Sequence, residues 1–223
     1  MHIIMINATP RMAEKSNTQK AISQFCEGFR KNDTSVEQYM LSDRNQWEQA
    51  KHAFFKGTNI VFALPLYNGG VPGIMMEFLE QISEIQQKSS NGSVERKISF
   101  ILQSGFPEAC QRRCCERYLK KLPEMLDSTF AGVLSHGNTF GMAFQGMPAG
   151  YEKMTYQMMG ELFEKNEASF FFDEVKLFNG PEYISEKEAV RYGRVFRFFC
   201  ERTAEALGYS SDLGYQPYHC NEE

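Results

Sequence analysis

Hydroxyl and amide side chains are concentrated in residues 7–18, whose sequence is NATPRMAEKSNT. An apolar run precedes this segment and apolar residues at helical spacing follow it, so the segment joins a strand to the start of a helix. Unpaired N–H groups at a helix N-terminus attract an anion, and neighbouring hydroxyl groups add further donors. The segment therefore predicts a phosphate site made by Thr9, Arg11, Ser16, Asn17 and Thr18, with an ordinary loop before a capped helix as the alternative.

Two common nucleotide-binding motifs are missing from this part of the sequence. No GxxxxGK(S/T) motif follows the first apolar run, and no GxGxxG motif lies near it. The first motif is typical of nucleoside triphosphate sites and the second of dinucleotide sites. Both of these interpretations are therefore weakened.

Glycine and an aromatic residue mark a second loop, residues 65–72, with the sequence PLYNGGVP. Glycines let a flat ligand approach the backbone, and Tyr67 offers an aromatic ring for stacking. A tight turn between strand and helix would use the same residues. A third loop, residues 103–107 (QSGFP), ends another apolar run with small and polar groups. Together the three loops predict a pocket for a mononucleotide with a planar head group.

The segments that position these loops alternate between strands and helices. Apolar runs predict five strands, at residues 3–6, 35–41, 58–65, 98–105 and 129–137. Near-continuous apolar strands that alternate with helices are typical of a doubly wound α/β fold with a five-stranded parallel sheet. In such a sheet, ligands bind beyond the carboxyl ends of the strands, which is where the three loops lie.

Helices are predicted from Ser16, over residues 46–56, after Pro72, over residues 108–127 and over residues 151–165. The first begins with a possible capping box, Ser16 and Gln19. A further, final helix is predicted to begin with the capping box Ser185–Glu188 and to end at Gly208. The inner face of this last helix is expected to carry Val190, Val195, Phe196, Phe199 and Ala204. We expect one domain over residues 1–208 and a C-terminal tail over residues 209–223.

The formal net charge of −4 supplies no positive field for a phosphate backbone or an anionic lipid surface. Neither nucleic acid nor a membrane is therefore expected as a partner. No segment approaches the roughly 18 uninterrupted apolar residues of a membrane span, and the N-terminus lacks the features of a secretion signal. The expected location is cytoplasmic.

The six cysteines, at positions 26, 110, 114, 115, 200 and 220, are expected to be free thiols, because a chain of this size needs no disulfides to fold. The spacing of Cys110, Cys114 and Cys115 lacks the compact run of an iron–sulfur site, so no metal is predicted. His136 is interpreted as a hydrogen-bonded structural residue in preference to a residue of the pocket.

The segments IIMINATPR, SNTQ, ALPLYNGGVPGIMMEFLE and LQSGFPE resemble the flavodoxin-like NAD(P)H-dependent FMN reductase family. The resemblance is strongest over residues 3–107. It implies a sheet of order 2-1-3-4-5, bound FMN, NAD(P)H as co-substrate, and a homodimer. The cofactor-binding residues that it implies are Thr9, Pro10, Arg11, Ser16, Asn17, Thr18, Pro65, Leu66, Tyr67, Asn68, Gly69, Gly70, Ser104 and Gly105.

The activity that this resemblance implies is electron transfer from NAD(P)H, through FMN, to a small acceptor such as a quinone, a nitro or azo compound, free flavin or a metal chelate. Since the cofactor carries out the chemistry, no catalytic side chain is expected. Two other functions stay open. One is a flavodoxin-like electron carrier, and the other is a non-catalytic binding domain with the same fold.

Overall fold

The computed structural model describes residues 1–13, 16–28, 34–88, 95–137, 139 and 181–209. The chain divides into two compact units, Met1–Glu182 and Tyr183–Glu223, which are described separately below. The division into a domain ending at residue 208 and a tail stays a prediction. The expected helix at residues 151–165 and most of the tail lie outside the described residues.

The first unit is built on a five-stranded sheet of order β2-β1-β3-β4-β5, in which all neighbouring strands are parallel. This confirms the predicted sheet and its strand order. The strands are β1 (His2–Asn7), β2 (Ser35–Met40), β3 (Asn59–Pro65), β4 (Lys97–Gln103) and β5 (Thr129–His136). The three central strands are apolar almost throughout because both of their faces are buried.

The described helices that flank the sheet are α1 (Asn17–Glu27), α2 (Trp47–Lys56), α3 (Gly73–Lys88) and α4 (Arg113–Lys121). Alternate residues of each strand point to opposite faces. On one face, Ile6 and Phe62 belong to a buried cluster with residues of α2, α3 and α4. On the other, Met5 and Val61 belong to a cluster with residues of α1. The helices therefore cover both faces, as a doubly wound fold requires.

The helix expected over residues 108–127 is interrupted. A 3₁₀ turn (Ala109–Arg112) leads into α4, and a second 3₁₀ turn covers Glu124–Leu126. Pro123 explains the second break, because proline has no N–H to donate to the preceding turn and its ring clashes there. The apolar spacing of this segment predicts that Tyr118, Leu119, Leu122 and Leu126 face inward. The three leucines are buried, whereas Tyr118 is only partly buried.

Ser16 caps α1 as predicted, since its hydroxyl accepts a hydrogen bond from the Gln19 backbone N–H at 3.1 Å. The reciprocal half of the predicted capping box is not formed. Instead, the Gln19 side chain accepts hydrogen bonds from Asn7 at 2.9 Å and Gln38 at 2.6 Å. This side chain therefore joins α1 to the first two strands of the sheet.

The second unit contains α5 (Glu186–Leu207), which begins with the predicted capping box of Ser185 and Glu188 and ends at Gly208 in a left-handed conformation. Of the side chains expected on its inner face, Ala204 is buried, whereas Val190 and Phe196 are 49% and 46% exposed. The side chains of Val195 and Phe199 lie outside the described structure. The five described cysteines are free thiols, as expected.

We predict that the ring stack along the sheet is a major source of stability. Phe100 is fully buried, and its ring lies 6.0 Å from that of Phe62 and 6.4 Å from that of Phe130. Replacing Phe100 by Ala removes the ring and leaves a cavity, so the free energy of unfolding should fall by about 3–5 kcal/mol. Urea denaturation measures this change.

The matched control is Met125→Ala, because Met125 is 71% exposed and should change the unfolding free energy by no more than about 0.5 kcal/mol. Equal effects of the two substitutions would show that Phe100 does not lie in the core.

Candidate functional site

A cavity of about 600 Å³ lies at the carboxyl ends of the central strands. This is within the usual range of about 300–1,000 Å³ for small-molecule sites. All three predicted loops contribute to its wall. The lining residues are Thr9, Arg11, Asn17, Thr18, Pro65, Leu66, Tyr67, Asn68, Gly69, Gln103, Ser104, Gly105, Phe106, Gln111 and Thr139.

Every residue of the predicted cofactor site lines this cavity except Pro10, Ser16 and Gly70. Pro10 is exposed, and the buried Ser16 hydroxyl caps α1. Gly70 closes the turn of the second loop by exchanging backbone hydrogen bonds with Tyr67. The structure thus brings the predicted residues together, while their binding of a cofactor stays a prediction.

Hydrogen bonds from Asn7, the last residue of β1, shape the first loop. Its side-chain oxygen accepts from the Thr9 N–H at 3.1 Å, and its side-chain nitrogen donates to Gln19. The Thr9 hydroxyl in turn accepts from the Arg11 N–H at 3.4 Å. Among the described lining residues Arg11 is the single charged side chain, and none of them is acidic.

Thr18 and Gln103 form a buried hydrogen bond between the first loop and the third. The Gln103 side-chain N–H donates to the Thr18 hydroxyl oxygen at 2.6 Å, and the two residues are only 4% and 1% exposed. Because this hydroxyl accepts from Gln103, its own proton is directed elsewhere, and Thr18 lines the cavity. Gln103 was not included in the predicted site, although it begins the third loop.

The second loop makes a tight turn at residues 67–70. Asn68 and Gly69 both have positive φ angles, 48° and 81°, and Tyr67 and Gly70 exchange backbone hydrogen bonds of 2.9 and 3.1 Å. Glycine and asparagine adopt such angles at the lowest cost, which is why this turn uses them. The Tyr67 side chain is 40% exposed, so part of its ring is available to a ligand.

Thr139 ties the third loop to the first and was missed by sequence reasoning. Its N–H and its hydroxyl both donate to the Ser104 carbonyl, at 3.0 and 2.8 Å, and its own carbonyl accepts from the Asn17 side chain at 3.0 Å. The Asn17 side chain therefore has a structural partner while also lining the cavity. Thr139 and Gln111 carry no local sequence signal, since folding alone places them beside the cavity.

His136 is buried beside Gln103 at the end of β5 and is not among the residues that line the cavity. Burial, together with the positive charge of Arg112, lowers the pKa of His136 to about 4, so the imidazole is neutral at neutral pH. A buried, neutral imidazole fits a structural role, and the expected hydrogen bond of this side chain stays a prediction. In the described ranges, no group of three or more His, Cys, Asp or Glu side chains could hold a metal ion.

A sequence model described as the flavodoxin-like fold matches residues 1–131, more than half of the chain. The chain belongs to this family. Comparison with curated protein sequences gives no significant match. The flavodoxin-like assignment agrees with the strand order found above.

Three solved structures illustrate the likeness of this flavodoxin-like chain to known proteins. An FMN-dependent NADH-azoreductase from Bacillus anthracis, solved with FMN, is 17% identical with a TM-score of 0.56, over 75% of this chain and 100% of that one. A putative quinone reductase from Klebsiella pneumoniae is 11% identical with a TM-score of 0.55, over 75% and 85%. An NAD(P)H:quinone oxidoreductase from Methanothermobacter marburgensis is 12% identical with a TM-score of 0.54, over 75% and 98%. At these identities the likeness shows a shared fold.

Across the parts of the chain that are described, no helix combines the length and apolar character that crossing a membrane requires.

The low pKa of His136 predicts an acid-dependent loss of stability. The unfolded chain binds a proton on this imidazole below about pH 6.5, whereas the folded protein does so only near pH 4. Stability is therefore present above the unfolded pKa and falls with pH between these values. From about pH 7.5 to about pH 5, His136 should account for a loss of about 2 kcal/mol.

The substitution His136→Gln keeps a polar neutral side chain and removes this proton site. Between about pH 7.5 and about pH 5, the unfolding free energy of this variant should fall by about 2 kcal/mol less than that of the unchanged protein. Urea titrations at the two pH values measure both losses. Parallel pH profiles for the two proteins would contradict the assignment.

Proposed function

We propose that the chain is an FMN-dependent oxidoreductase that passes electrons from NAD(P)H to a small acceptor. The observation that carries this proposal is one continuous cavity that joins the N-terminus of α1 and the positive charge of Arg11 to the glycine-containing turn beside Tyr67. One end suits an anion and the other a planar ring. The flavodoxin-like family supports the same conclusion, as does the shared fold with an FMN-dependent NADH-azoreductase and an NAD(P)H:quinone oxidoreductase.

The anionic end fits the phosphate of FMN. The first-turn N–H groups of α1 point towards the loop that precedes the helix and carry partial positive charge. Thr9 and Thr18 place hydroxyl groups at the same wall, and Arg11 adds a full charge. Because none of the described lining residues is acidic, a dianion meets no repulsion from within this wall.

The ring end fits a planar heterocycle. Leu66, Tyr67 and Phe106 supply apolar and aromatic surface, and Phe106 is 54% exposed. Gly69 and Gly105 allow a ring to approach the backbone closely. These residues would bind and orient the isoalloxazine of FMN and exclude water from one of its faces.

Bound FMN would supply the electron-transfer chemistry, taking electrons from NAD(P)H and delivering them to the acceptor. The protein itself then provides positioning and hydrogen bonds, and none of its described lining side chains has to act as an acid or base. The acceptor is proposed to be a small quinone, nitro or azo compound, free flavin or metal chelate. A homodimer, tested by sedimentation equilibrium, and a cytoplasmic location complete the proposal.

The deciding experiment is a visible spectrum of the purified protein with FMN, followed by NADH or NADPH without oxygen. Binding should perturb the flavin bands, and one of the two nucleotides should bleach them. Binding without bleaching would favour an electron carrier. A protein that binds no FMN would favour a non-catalytic domain and would refute the proposal.

We predict that Thr18 donates its hydroxyl proton to the phosphate of FMN. Replacing Thr18 by Val should weaken FMN binding by about 1 kcal/mol, or roughly fivefold, the scale of one lost hydrogen bond. Thr18→Ser keeps the hydroxyl and is the matched control. Riboflavin, which has no phosphate, should lose less affinity than FMN in fluorescence titrations, because for riboflavin the substitution removes only the hydrogen bond between Gln103 and Thr18. An unchanged dissociation constant for FMN would remove Thr18 from the phosphate site.

Arg11 should contribute through long-range charge. Because its side chain is exposed, Arg11→Gln should weaken FMN binding by no more than about fivefold at low salt. The difference between the two proteins should shrink as salt screens the charge. Titrations at low and high salt measure both effects, and a difference that is independent of salt would exclude this electrostatic role.

A further inference from the structure

Arg112 is a buried cation that the proposed function does not use. Its side chain is fully buried, and it is the largest of the fully buried side chains among the described residues. Burial lowers the pKa of its guanidinium, although Glu116 acts in the opposite direction. A buried charge is costly unless hydrogen bonds and an opposite charge compensate it. The arrangement of its partners therefore indicates what the residue does.

On one side, Arg112 contacts β5 and α4. Its Nε donates to the Ser135 hydroxyl oxygen at 2.9 Å, and that hydroxyl donates to a Glu116 carboxylate oxygen at 2.5 Å. The distance from Arg112 Nε to the same carboxylate oxygen is 4.0 Å. Ser135 thus links the guanidinium to its counter-ion, which fixes the orientation of the guanidinium plane.

On the other side, Arg112 contacts Glu108, the residue that directly follows the third loop. Its Nη1 donates to the Glu108 carbonyl at 3.2 Å. A Cβ added to Gly137 would collide with Arg112 Nη1, and it would lie 2.6 Å from the Phe106 carbonyl oxygen and 2.9 Å from that of Pro107. The guanidinium, the end of β5 and the carbonyl groups of the loop therefore meet at one point, where only glycine fits.

The same loop forms a wall of the candidate site. Ser104, Gly105 and Phe106 line the cavity, and so does Gln111, the residue before Arg112. The Ser104 hydroxyl donates to the Phe106 carbonyl at 3.3 Å, so the loop backbone is linked internally as well. Any shift of the carbonyl groups that surround the guanidinium would move this wall.

We propose that Arg112 is a positioning residue for the ring end of the site. Its planar guanidinium binds Ser135 and the Glu108 carbonyl at the same time, and this holds residues 104–108 in the conformation that lines the cavity. A lysine ammonium in this place would keep the charge but lack the fixed fork of donors. The claim that this wall binds a flavin ring rests on the proposed function. The claim that Arg112 restrains residues 104–108 does not depend on that function.

Hydrogen exchange of the ligand-free protein tests the hold on the loop. In Arg112→Lys, amides of residues 104–112 should exchange about tenfold faster, as expected for the loss of one hydrogen bond to a charged group. Amides of residues 3–13, in β1 and the first loop, should keep their rates. Gly137→Ala is a second variant, because it retains Arg112 and displaces the same junction, and it should show the same local effect.

The matched control is Arg113→Met. Arg113 neighbours Arg112 and binds Glu116 at 2.7 Å and Glu182, but its side chain is 36% exposed and its described hydrogen bonds do not reach the third loop. Exchange of residues 104–108 should be unchanged in this variant. Exchange that is unaltered in Arg112→Lys and Gly137→Ala, or that rises equally throughout the protein, would overturn the proposal.

Riboflavin and FMN titrations test the connection to the ring. Arg112→Lys and Gly137→Ala should weaken binding of both flavins by the same factor, about tenfold, because both ligands share the ring. A loss confined to FMN would place the effect at the phosphate and overturn the proposal. If the unchanged protein binds neither flavin, the proposed function fails. The hydrogen-exchange experiment still tests whether Arg112 restrains residues 104–108.

Discussion

The register of the parallel strands is the constraint on which the candidate site depends. Neighbouring strands place Asn7 beside Ala63, Pro65 beside Gln103, and Gln103 beside His136. Each strand is followed by one more backbone hydrogen bond to its neighbour, from the N–H groups of Ala8, Leu66 and Ser104. The loops therefore leave the sheet at the same level. Because the strands are parallel, the three carboxyl ends must share one edge, and a cavity between their loops follows.

Polar ties then hold the loops in place without a ligand. Gln103 binds Thr18, which links the third loop directly to the first. Thr139 binds both Ser104 and Asn17, which links the same two loops through a third residue. Buried hydrogen bonds of this kind are strong because water does not compete with them. A site whose walls are already positioned loses less entropy when a ligand binds. Arg112 adds a further connection of this kind, because its side chain links Glu108, directly after the third loop, to Ser135 in β5 and Glu116 in α4.

Local sequence patterns predicted the strands, the positions of the loops and both helix caps, because strand burial, capping and proline breaks depend on neighbouring residues. The resemblance supplied the strand order. What could not be predicted are contacts between residues far apart in the chain. Asn17 and Thr139 are 122 positions apart, and Thr18 and Gln103 are 85 apart. Pro123 is a local signal for a break, but the apolar spacing continues through it and predicts one uninterrupted helix.

Net charge and local charge lead to different conclusions in this protein. The formal net charge of −4 argues against long polyanionic partners, which interact with the field of the whole surface. A small anion in the cavity experiences mainly the groups within a Debye length, roughly 8–10 Å at moderate salt. Of the described residues that line the cavity, Arg11 is charged and none is acidic. An acidic protein therefore still offers a small anion two favourable groups in this cleft, the N-terminus of α1 and the side chain of Arg11.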